Sequence, residues 1–197
     1  LPWKTRGMDR PVDRVSAAFQ AVPREEFLPA GLRGRAAYDG PLAIGFGQTN
    51  SQPRSVASML RLLDVQPGQR VLDVGAGSGW TTALLAHLVG PAGLVVGVEL
   101  VPELATWGEE NLRRTSGGWA SVREPAPGVL GVPELAPYDR ILVSAEPGRM
   151  PQELLDQLGD PGVMVLPVAG VMTVVHRCGG EDLITEHGHY RFVPLLS

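Results

Sequence analysis

A glycine-rich loop directly after an apolar run is the feature that most constrains how this chain folds. Residues Val71–Val74 form the β-rich apolar run, and the loop that follows reads Gly75-Ala76-Gly77-Ser78-Gly79. Glycines let backbone N–H groups approach a ligand closely, and a helix beginning near Trp80 adds the positive end of its dipole. The stretch therefore predicts a strand, loop and helix of an open α/β sheet, in which ligands bind at the carboxyl ends of the strands.

The rest of the chain alternates between short apolar runs and runs with helical spacing. The strand candidates are Arg70–Val74, Leu94–Val98, Asp139–Ser144 and Gly162–Val168, and the helix candidates are Trp80–Leu88, Glu103–Arg114 and Pro151–Leu158. Such alternation predicts a Rossmann-like α/β fold with a mostly parallel sheet and helices on both faces. Val171–Arg177 and Arg191–Leu195 read as two more strands with no helix between them, which predicts a C-terminal antiparallel hairpin.

The first third of the chain has a different character. Apolar residues at near-helical spacing predict a helix over Asp9–Ala21, and Pro53 suits the start of a second helix. Residues Gly31–Gln52 between them read as irregular, because glycines and prolines are frequent there. We expect a single domain over residues 1–197, with residues 1–69 as a short helical and irregular extension and residues 70–197 as the Rossmann-like, cofactor-binding core.

The pattern of the glycine loop restricts the kind of ligand. A dinucleotide fingerprint, G-x-G-x-x-G, would need a glycine at Trp80, and no G-K-[S/T] follows to make a phosphate-binding P-loop. Asp73 precedes the loop and would repel a pyrophosphate, but it suits a ligand with an ammonium group. Glu99, at the end of the second strand candidate, suits a ribose, because its carboxylate can accept hydrogen bonds from both ribose hydroxyls. Together these features indicate S-adenosylmethionine, and a plain strand-to-helix turn with a capping acid is the alternative.

The candidate cofactor-binding residues follow from this interpretation. They comprise the acid before the loop, the loop itself, the second acid with its neighbour, and a glycine after the third strand: Asp73, Gly75, Ala76, Gly77, Ser78, Gly79, Glu99, Leu100 and Gly128.

Composition bounds the environment and the partners. The formal net charge is −4 and the lysines and arginines are scattered, which argues against a nucleic-acid partner. The single cysteine, Cys178, fits a reducing compartment, and no apolar stretch is long enough to span a bilayer. We expect a cytoplasmic monomer that does not associate with a membrane. His187 and His189 lack further ligands for a metal, so no metal site is expected.

Several segments resemble the protein-L-isoaspartate O-methyltransferase family, whose members methylate isomerised aspartate in damaged proteins. The segment Gly47-Gln48-Thr49-Asn50-Ser51-Gln52-Pro53 is the most specific of them. The others, in family order, are Val22–Phe27, Ala37–Leu42, Val71–Gly79, Ala136–Val143 and Arg191–Leu195. The resemblance covers nearly the whole chain. It implies carboxyl O-methylation of L-isoaspartyl residues, with S-adenosyl-L-homocysteine as the product of the donor and a succinimide that starts the repair.

The resemblance also implies roles in the N-terminal extension, which it places on the substrate side. Ser51 would bind the substrate carboxylate near the methyl donor, and Thr49 and Gln52 would shape the same loop. A helix N-cap is the alternative role for Ser51, since it precedes Pro53 by two residues. The chemistry needs no general base, because an α-carboxyl group titrates at roughly 3.3–3.7 and is ionised at neutral pH. Orientation of the two reactants is the main requirement.

The chain departs from the family at several places, including the stretch Ser116–Val122 before the third strand. The family usually has Gly-Asp-Gly after the third strand, with the acid near the adenine, whereas this chain has Ala126-Pro127-Gly128. Asn50 replaces the common aliphatic residue between Thr49 and Ser51. These changes leave open a specialised relative that methylates another acceptor, and a cofactor-binding homologue without catalysis. An amino-methyltransferase of nucleic acids would carry an [N/D/S]-P-P-[Y/F/W] loop, which Ser144–Pro147 does not match.

Overall fold

The structure is a computed structural model that describes residues 13–196. It contains five α-helices and nine strands in those residues. In chain order they are α1 (Arg14–Ala21), β1 (Leu42–Gly45), β2 (Gln48–Asn50), α2 (Pro53–Leu63), β3 (Arg70–Val74), α3 (Trp80–Val89), β4 (Leu94–Val98), α4 (Pro102–Thr115), β5 (Ala120–Arg123), β6 (Tyr138–Val143), α5 (Gln152–Leu155), β7 (Leu158–Val168), β8 (Val171–Cys178) and β9 (Glu181–His189). Short 3-10 helices cover Arg24–Phe27, Ala30–Arg35 and Pro133–Leu135.

Seven strands form the central sheet in the order β5-β4-β3-β6-β7-β8-β9. The five strands from β5 to β7 are parallel, and β7, β8 and β9 pair antiparallel. From β3 the chain moves outward through β4 to β5 and then returns to the other side of β3 as β6. This reversal of strand order opens a crevice at the carboxyl ends of the strands, which is where ligands bind in such folds. The predicted Rossmann-like fold is confirmed.

The two faces of the sheet are covered unequally. Helices α1 to α4 contribute to a core on one face that contains Val71, Leu142 and Val165. The opposite face, with Leu72 and Ile141, is covered by the short helix α5 and the segment that precedes β6. No helix within residues 13–196 is long and apolar enough to cross a membrane.

The C-terminal hairpin is present, but its second strand lies elsewhere than expected. Strand β9 spans Glu181–His189, whereas Arg191–Leu195 makes only an isolated bridge through Pro194 to Glu146. The prediction of a strand over Arg191–Leu195 was therefore wrong. Strand β9 is an edge strand with almost every residue exposed, so it lacks the alternation that would reveal it.

The helix predicted over Pro151–Leu158 is also shorter than expected, because only Gln152–Leu155 is helical. Gln157 diverts the chain: its side chain accepts from the N–H of Val132 at 2.8 Å and donates to the carbonyl of Leu130 at 2.8 Å. Its own carbonyl accepts from the N–H of Tyr138 at 2.9 Å. These long-range bonds favour an early start of β7 over a longer helix.

The N-terminal extension packs on the helical face of the sheet. Helix α1 begins after Asp13, whose side chain accepts from the N–H of Val15 at 3.2 Å. The first four residues of the predicted helix, 9–12, lie outside the described residues. The segment Gly31–Gln52, expected to be irregular, contains a 3-10 helix and the antiparallel β1–β2 hairpin. The hairpin was missed because its tight turn at Gly45–Gly47 uses positive φ angles that glycine permits in many irregular loops.

Candidate functional site

A cavity of about 260 Å³ lies at the carboxyl ends of β3, β4, β5 and β6. Its lining comes from both the core and the extension, and five segments supply most of it. They are Gln48–Ser51, Gly75–Ser78, Glu99–Leu100, the loop residues 125–131 apart from Pro127, and the C-terminal residues Val193–Leu196. The cavity therefore forms where the sheet topology predicts a ligand site.

The glycine loop forms the floor of the cavity. Gly75 and Gly77 have φ angles of +80° and +53°, which L side chains rarely adopt. Gly79 has a φ of +87° and does not line the cavity, because it packs against α4. A Cβ at Gly79 would lie 2.9 Å from the carbonyl oxygen of Gly108. Gly79 thus sets the distance between the loop and α4, while Gly75 to Ser78 face the cavity.

Asp73 lies beneath the loop and not in the wall of the cavity. Its side chain is fully buried, and its Oδ2 accepts from the hydroxyls of Thr81 and Thr82 at 2.8 and 2.7 Å. Burial raises the pKa of Asp73 to about 6, although the threonine hydrogen bonds oppose the shift. The carboxylate therefore anchors the start of α3 to the end of β3. The structure does not place it where the sequence interpretation put it, in contact with a ligand ammonium group.

Glu99 lines the cavity at the end of β4 and holds two backbone groups. Its Oε2 accepts from the N–H of Gly77 at 2.9 Å, and its Oε1 accepts from the N–H of Val101 at 2.9 Å. Each carboxylate oxygen has a further lone pair, so each can also accept a hydrogen bond from a hydroxyl group. Leu100 follows it at the rim and is 44% exposed. The structure thus brings Glu99, Leu100 and the glycine loop together as predicted.

The far end of the cavity is bordered by backbone and apolar groups. Gly128, with a φ of +71°, and its neighbours Val129 and Leu130 line it, whereas Pro127 does not. Glu153 from α5 also reaches this end, and it is exposed. The acid that the family carries after the third strand has no counterpart among the loop residues 125–131.

The extension supplies the opposite side of the cavity through Thr49 and Ser51. Among the described residues, neither hydroxyl has a hydrogen-bond partner. Helix α2 begins at Pro53 with Gln52 at the N-cap position, and the N–H of Arg54 donates to Asp39 at 3.1 Å. Ser51 is therefore not the helix cap, and its hydroxyl is free to meet a ligand.

Gln52 is turned away from the cavity. Its Nε2 donates to the carbonyl of Asp39 at 3.1 Å, and its Oε1 accepts from the hydroxyl of Ser55 at 3.3 Å. It does not line the cavity. Its place is that of a support for the loop, not of a group that touches a ligand.

A buried arginine that the sequence did not single out holds the substrate-side segment. Arg24 is 5% exposed, and its Nη2 donates to the carbonyls of Gly40, Asn50 and Ser51 at 2.9 to 3.0 Å. Its Nη1 donates to the carbonyl of Tyr38 at 2.8 Å. Burial lowers the pKa of Arg24 to about 10, which still leaves it protonated at neutral pH.

The C-terminal segment closes the cavity from above the sheet. The N–H of Glu146 donates to the carbonyl of Val193 at 2.8 Å, and the N–H of Leu195 donates to the carbonyl of Glu146 at 2.8 Å. The side chain of Glu146 accepts from the N–H of Gly170, so it secures a loop and does not face the cavity. The apolar residues of this segment gave the only signal, which was read as a strand.

The residues present fit S-adenosylmethionine. The floor is a glycine cradle, and a Cβ at Gly77 would lie 3.1 Å from the side chain of Ile44. Glu99 offers carboxylate acceptors for ribose hydroxyls, and Leu100, Val129 and Leu130 offer apolar surface for a purine. Polar acceptors at one point and apolar walls elsewhere are typical of small-molecule sites.

Fold and site together define a class of protein. A Rossmann-like sheet, a cavity at the reversal of strand order, a G-x-G-x-G loop and an acid after the neighbouring strand are the features of S-adenosylmethionine-dependent methyltransferases. Solved structures similar to this chain belong to that class.

Comparison with known proteins narrows the class. The sequence profile of protein-L-isoaspartate(D-aspartate) O-methyltransferase matches residues 4–197. The chain is 46% identical over 190 residues to the protein-L-isoaspartate O-methyltransferase of Methanopyrus kandleri, covering 94% of this chain and 84% of the relative. It is 44% identical over 180 residues to the enzyme of that name from Methanocella arvoryzae, covering 89% and 95%.

A solved structure agrees with these sequence matches. It is a crystal structure of a Plasmodium falciparum protein assigned as a protein-L-isoaspartate O-methyltransferase, in complex with S-adenosyl-L-homocysteine. It superposes with a TM-score of 0.82 at 26% identity, covering 93% of this chain and 90% of that one. This chain belongs to the protein-L-isoaspartate(D-aspartate) O-methyltransferase family.

Proposed function

We propose that this protein transfers a methyl group from S-adenosylmethionine to the free α-carboxylate of L-isoaspartyl residues in damaged proteins or peptides. The family and the names of the relatives support this activity. One observation carries it: the family-specific segment that contains Thr49 and Ser51 lines the same cavity as the glycine loop. A donor held by the core and an acceptor held by the extension would meet there.

The residues would divide the work as follows. Glu99 would accept the ribose hydroxyls, while Gly75 to Ser78 would offer backbone groups to the methionine end. Leu100 and Gly128 would flank the adenine. Asp73 would act from beneath by fixing the loop, and Gly79 by fixing its distance from α4. When bound, S-adenosylmethionine supplies an electrophilic methyl group on a sulfonium and leaves as S-adenosyl-L-homocysteine.

The acceptor side needs little chemistry. The substrate carboxylate is ionised at neutral pH, so no side chain has to remove a proton. Ser51 would donate a hydrogen bond to one carboxylate oxygen and so direct the other toward the donor, with Thr49 beside it. Gln52 would keep this loop in place. Catalysis would then come from orientation. After release, the nitrogen of the following peptide bond would attack the methyl ester and expel methanol. The succinimide that forms would be hydrolysed partly to normal aspartate.

The experiment compares two peptides that differ only in the linkage of one aspartate. We expect labelled methyl transfer from S-adenosylmethionine to the isoaspartyl peptide and none to its aspartyl twin. Calorimetry with S-adenosylhomocysteine runs in parallel. Binding without transfer to isoaspartyl peptides would favour a non-catalytic homologue, and equal labelling of both peptides would favour a methyltransferase for other carboxyl acceptors.

The organisation and setting of the protein complete the proposal. We propose a single domain, because the extension and the sheet contribute to one core, as Phe27 and Val71 illustrate. A cytoplasmic location would suit the exposed thiol of Cys178, which is reactive toward oxidation outside a reducing compartment. We propose that it acts as a monomer and uses no nucleic acid, in keeping with a formal net charge of −4. Light scattering and a filter-binding assay test these two points.

A further inference from the structure

The two sides of the cavity are joined by one direct hydrogen bond. One side is the acceptor segment, residues 48–52, and the other is the glycine loop, residues 75–79. The Nδ2 of Asn50 donates to the Oγ of Ser78 at 3.3 Å. In the described part of the chain, no other hydrogen bond connects these two segments. Both side chains are buried, with exposures of 4% and 1%.

Arg24 determines which way the Asn50 amide faces. The Nε of Arg24 donates to the Oδ1 of Asn50 at 2.7 Å. A guanidinium has only donors, so the oxygen of the amide must face it, and the NH2 group must then face Ser78. The direction of the bond between the two segments is thus fixed by the buried cation. An aliphatic residue at this position, common in the family, could make neither bond.

The same arginine holds the backbone of Ser51. The Nη2 of Arg24 donates to the carbonyls of Asn50 and Ser51 at 3.0 and 2.9 Å. Its guanidinium also lies over the ring of Trp80, 5.4 Å from the centroid, at the start of α3. The position of Ser51 therefore depends on a chain of buried contacts that ends at Ser78 in the donor loop.

We propose that Asn50 is a positioning residue that couples the donor site to the acceptor site, by tying the backbone of Ser51 to Ser78. The inference rests on the proposed methyl transfer, since it concerns the alignment of its two reactants. A bound donor restricts the glycine loop, and through Asn50 it restricts the acceptor segment as well. The acceptor then binds to a segment that is already ordered, which makes the two ligands bind cooperatively.

The test measures this cooperativity directly. The dissociation constant of an isoaspartyl peptide is measured by calorimetry with and without saturating S-adenosylhomocysteine. In the unaltered protein we expect the donor product to strengthen peptide binding about tenfold, which is within the usual range for coupled sites. In Asn50→Leu and in Ser78→Ala we expect the gain to fall below about threefold.

Two further variants separate positioning from general damage. Asn50→Asp keeps an oxygen toward Arg24, and its second oxygen can accept from the Ser78 hydroxyl, which donates as well as accepts. It should retain the cooperativity. Ser55→Ala removes a hydrogen bond to Gln52 in the same region without touching Asn50 or Ser78, and it should retain the cooperativity too.

Kinetics supply the second readout. We expect Asn50→Leu to lower kcat for the isoaspartyl peptide about tenfold, while its affinity for S-adenosylhomocysteine changes less than about threefold. If Asn50 had only a structural role, its replacement would lower kcat and the affinity for S-adenosylhomocysteine together, or would change neither of them. If Asn50→Leu does not fold because Arg24 loses its acceptor, Ser78→Ala decides the matter.

The result that would overturn the inference is full cooperativity in Ser78→Ala. Failure of the proposed function is a different outcome: the unaltered protein would then transfer no methyl group to the isoaspartyl peptide. Methyl transfer by the unaltered protein combined with full cooperativity in Ser78→Ala would remove the role of Asn50 and leave the proposed function standing.

Discussion

The two walls of the cavity are held by different kinds of interaction. The donor wall consists of strand ends and a glycine loop, and several elements of the core support it, such as Glu99, which accepts from the N–H of Gly77. The acceptor wall consists of coil and a short hairpin, and it depends on one arginine that donates to carbonyls 12 to 27 residues away. The donor wall is therefore supported by several elements of the core, whereas the acceptor wall depends largely on the contacts of Arg24.

This difference has a consequence for mutations. Changes in the donor wall should affect folding or donor affinity first, because its residues also hold the sheet and helices together. Changes at the tip of the acceptor wall should affect turnover first, since the side-chain hydroxyls of Ser51 and Thr49 make no hydrogen bonds with the other described residues. Three substitutions in the donor wall and one in the acceptor wall test that division, in order of decreasing expected effect.

Gly79→Ala should destabilise the protein by about 4 kcal/mol. The new Cβ would lie 2.9 Å from the backbone oxygen of Gly108, at a φ of +87° that alanine rarely adopts. Strain and overpacking each cost about 1–3 kcal/mol. The matched control is Gly128→Ala, which also has positive φ but meets nothing within 4 Å, and it should cost about 1 kcal/mol. Denaturant unfolding measures both, and equal losses would show that packing against α4 does not matter.

Asp73→Asn should change how stability depends on pH. Burial raises the pKa of Asp73 from 3.8 to about 6, so the folded state carries a penalty that begins near pH 4, grows up to about pH 6 and stays constant at higher pH. The amide removes that penalty. The difference in free energy of unfolding, variant minus unaltered protein, should increase by about 2.5 kcal/mol between pH 4 and pH 7.

High salt provides the control for this experiment. A buried carboxylate is screened little by salt, so the same pH dependence should appear at high ionic strength. A difference that stays flat from pH 4 to pH 7 would show that Asp73 ionises in the folded protein as easily as in the unfolded chain. That result would contradict its burial beneath the loop.

Glu99→Ala should weaken binding of S-adenosylhomocysteine about 30-fold, or roughly 2 kcal/mol. The substitution removes the acceptor for the proposed ribose and the acceptors of the Gly77 and Val101 N–H groups. Glu99→Gln retains one side-chain oxygen and should lose less affinity. Calorimetry distinguishes the two variants. An unchanged dissociation constant in Glu99→Ala would exclude this carboxylate from the donor site.

The contrast between the walls also explains what the sequence could predict. Strands β3 and β4 lie where the apolar runs indicated, residue for residue, because buried parallel strands have a strong local signal. The positions of Glu99 and the glycine loop at the ends of β4 and β3 could be predicted for the same reason. The bend at Gln157 and the exposed strand β9 were missed, since the first depends on distant backbone groups and the second has no buried face.

The acceptor wall shows a second limit of local patterns. Thr49 and Ser51 were identified only through resemblance to a family, because nothing in their spacing indicates a ligand. Arg24 lies in the segment Val22–Phe27, which resembles the family, but its contacts with Asn50 and Ser51 are 26 and 27 residues away. The burial of Asp73 beneath the loop could not be predicted, because a sequence shows that an acid precedes the loop and not which side it faces.

Ser51→Ala should give the smallest change in free energy of the four substitutions, but it should lower kcat without lowering stability or donor affinity. The hydroxyl has no partner among the described residues, so its loss should leave the free energy of unfolding within about 0.5 kcal/mol. Without its hydrogen bond the substrate carboxylate is less well oriented, and kcat for an isoaspartyl peptide should fall about tenfold, or roughly 1.4 kcal/mol. Affinity for S-adenosylhomocysteine should stay within about threefold, the reverse of Glu99→Ala. Ser55→Ala, a serine four residues along that does not line the cavity, is the control and should keep full kcat. Unchanged kcat in Ser51→Ala would show that the acceptor binds elsewhere in the cavity, and the division of labour between the two walls would then be wrong.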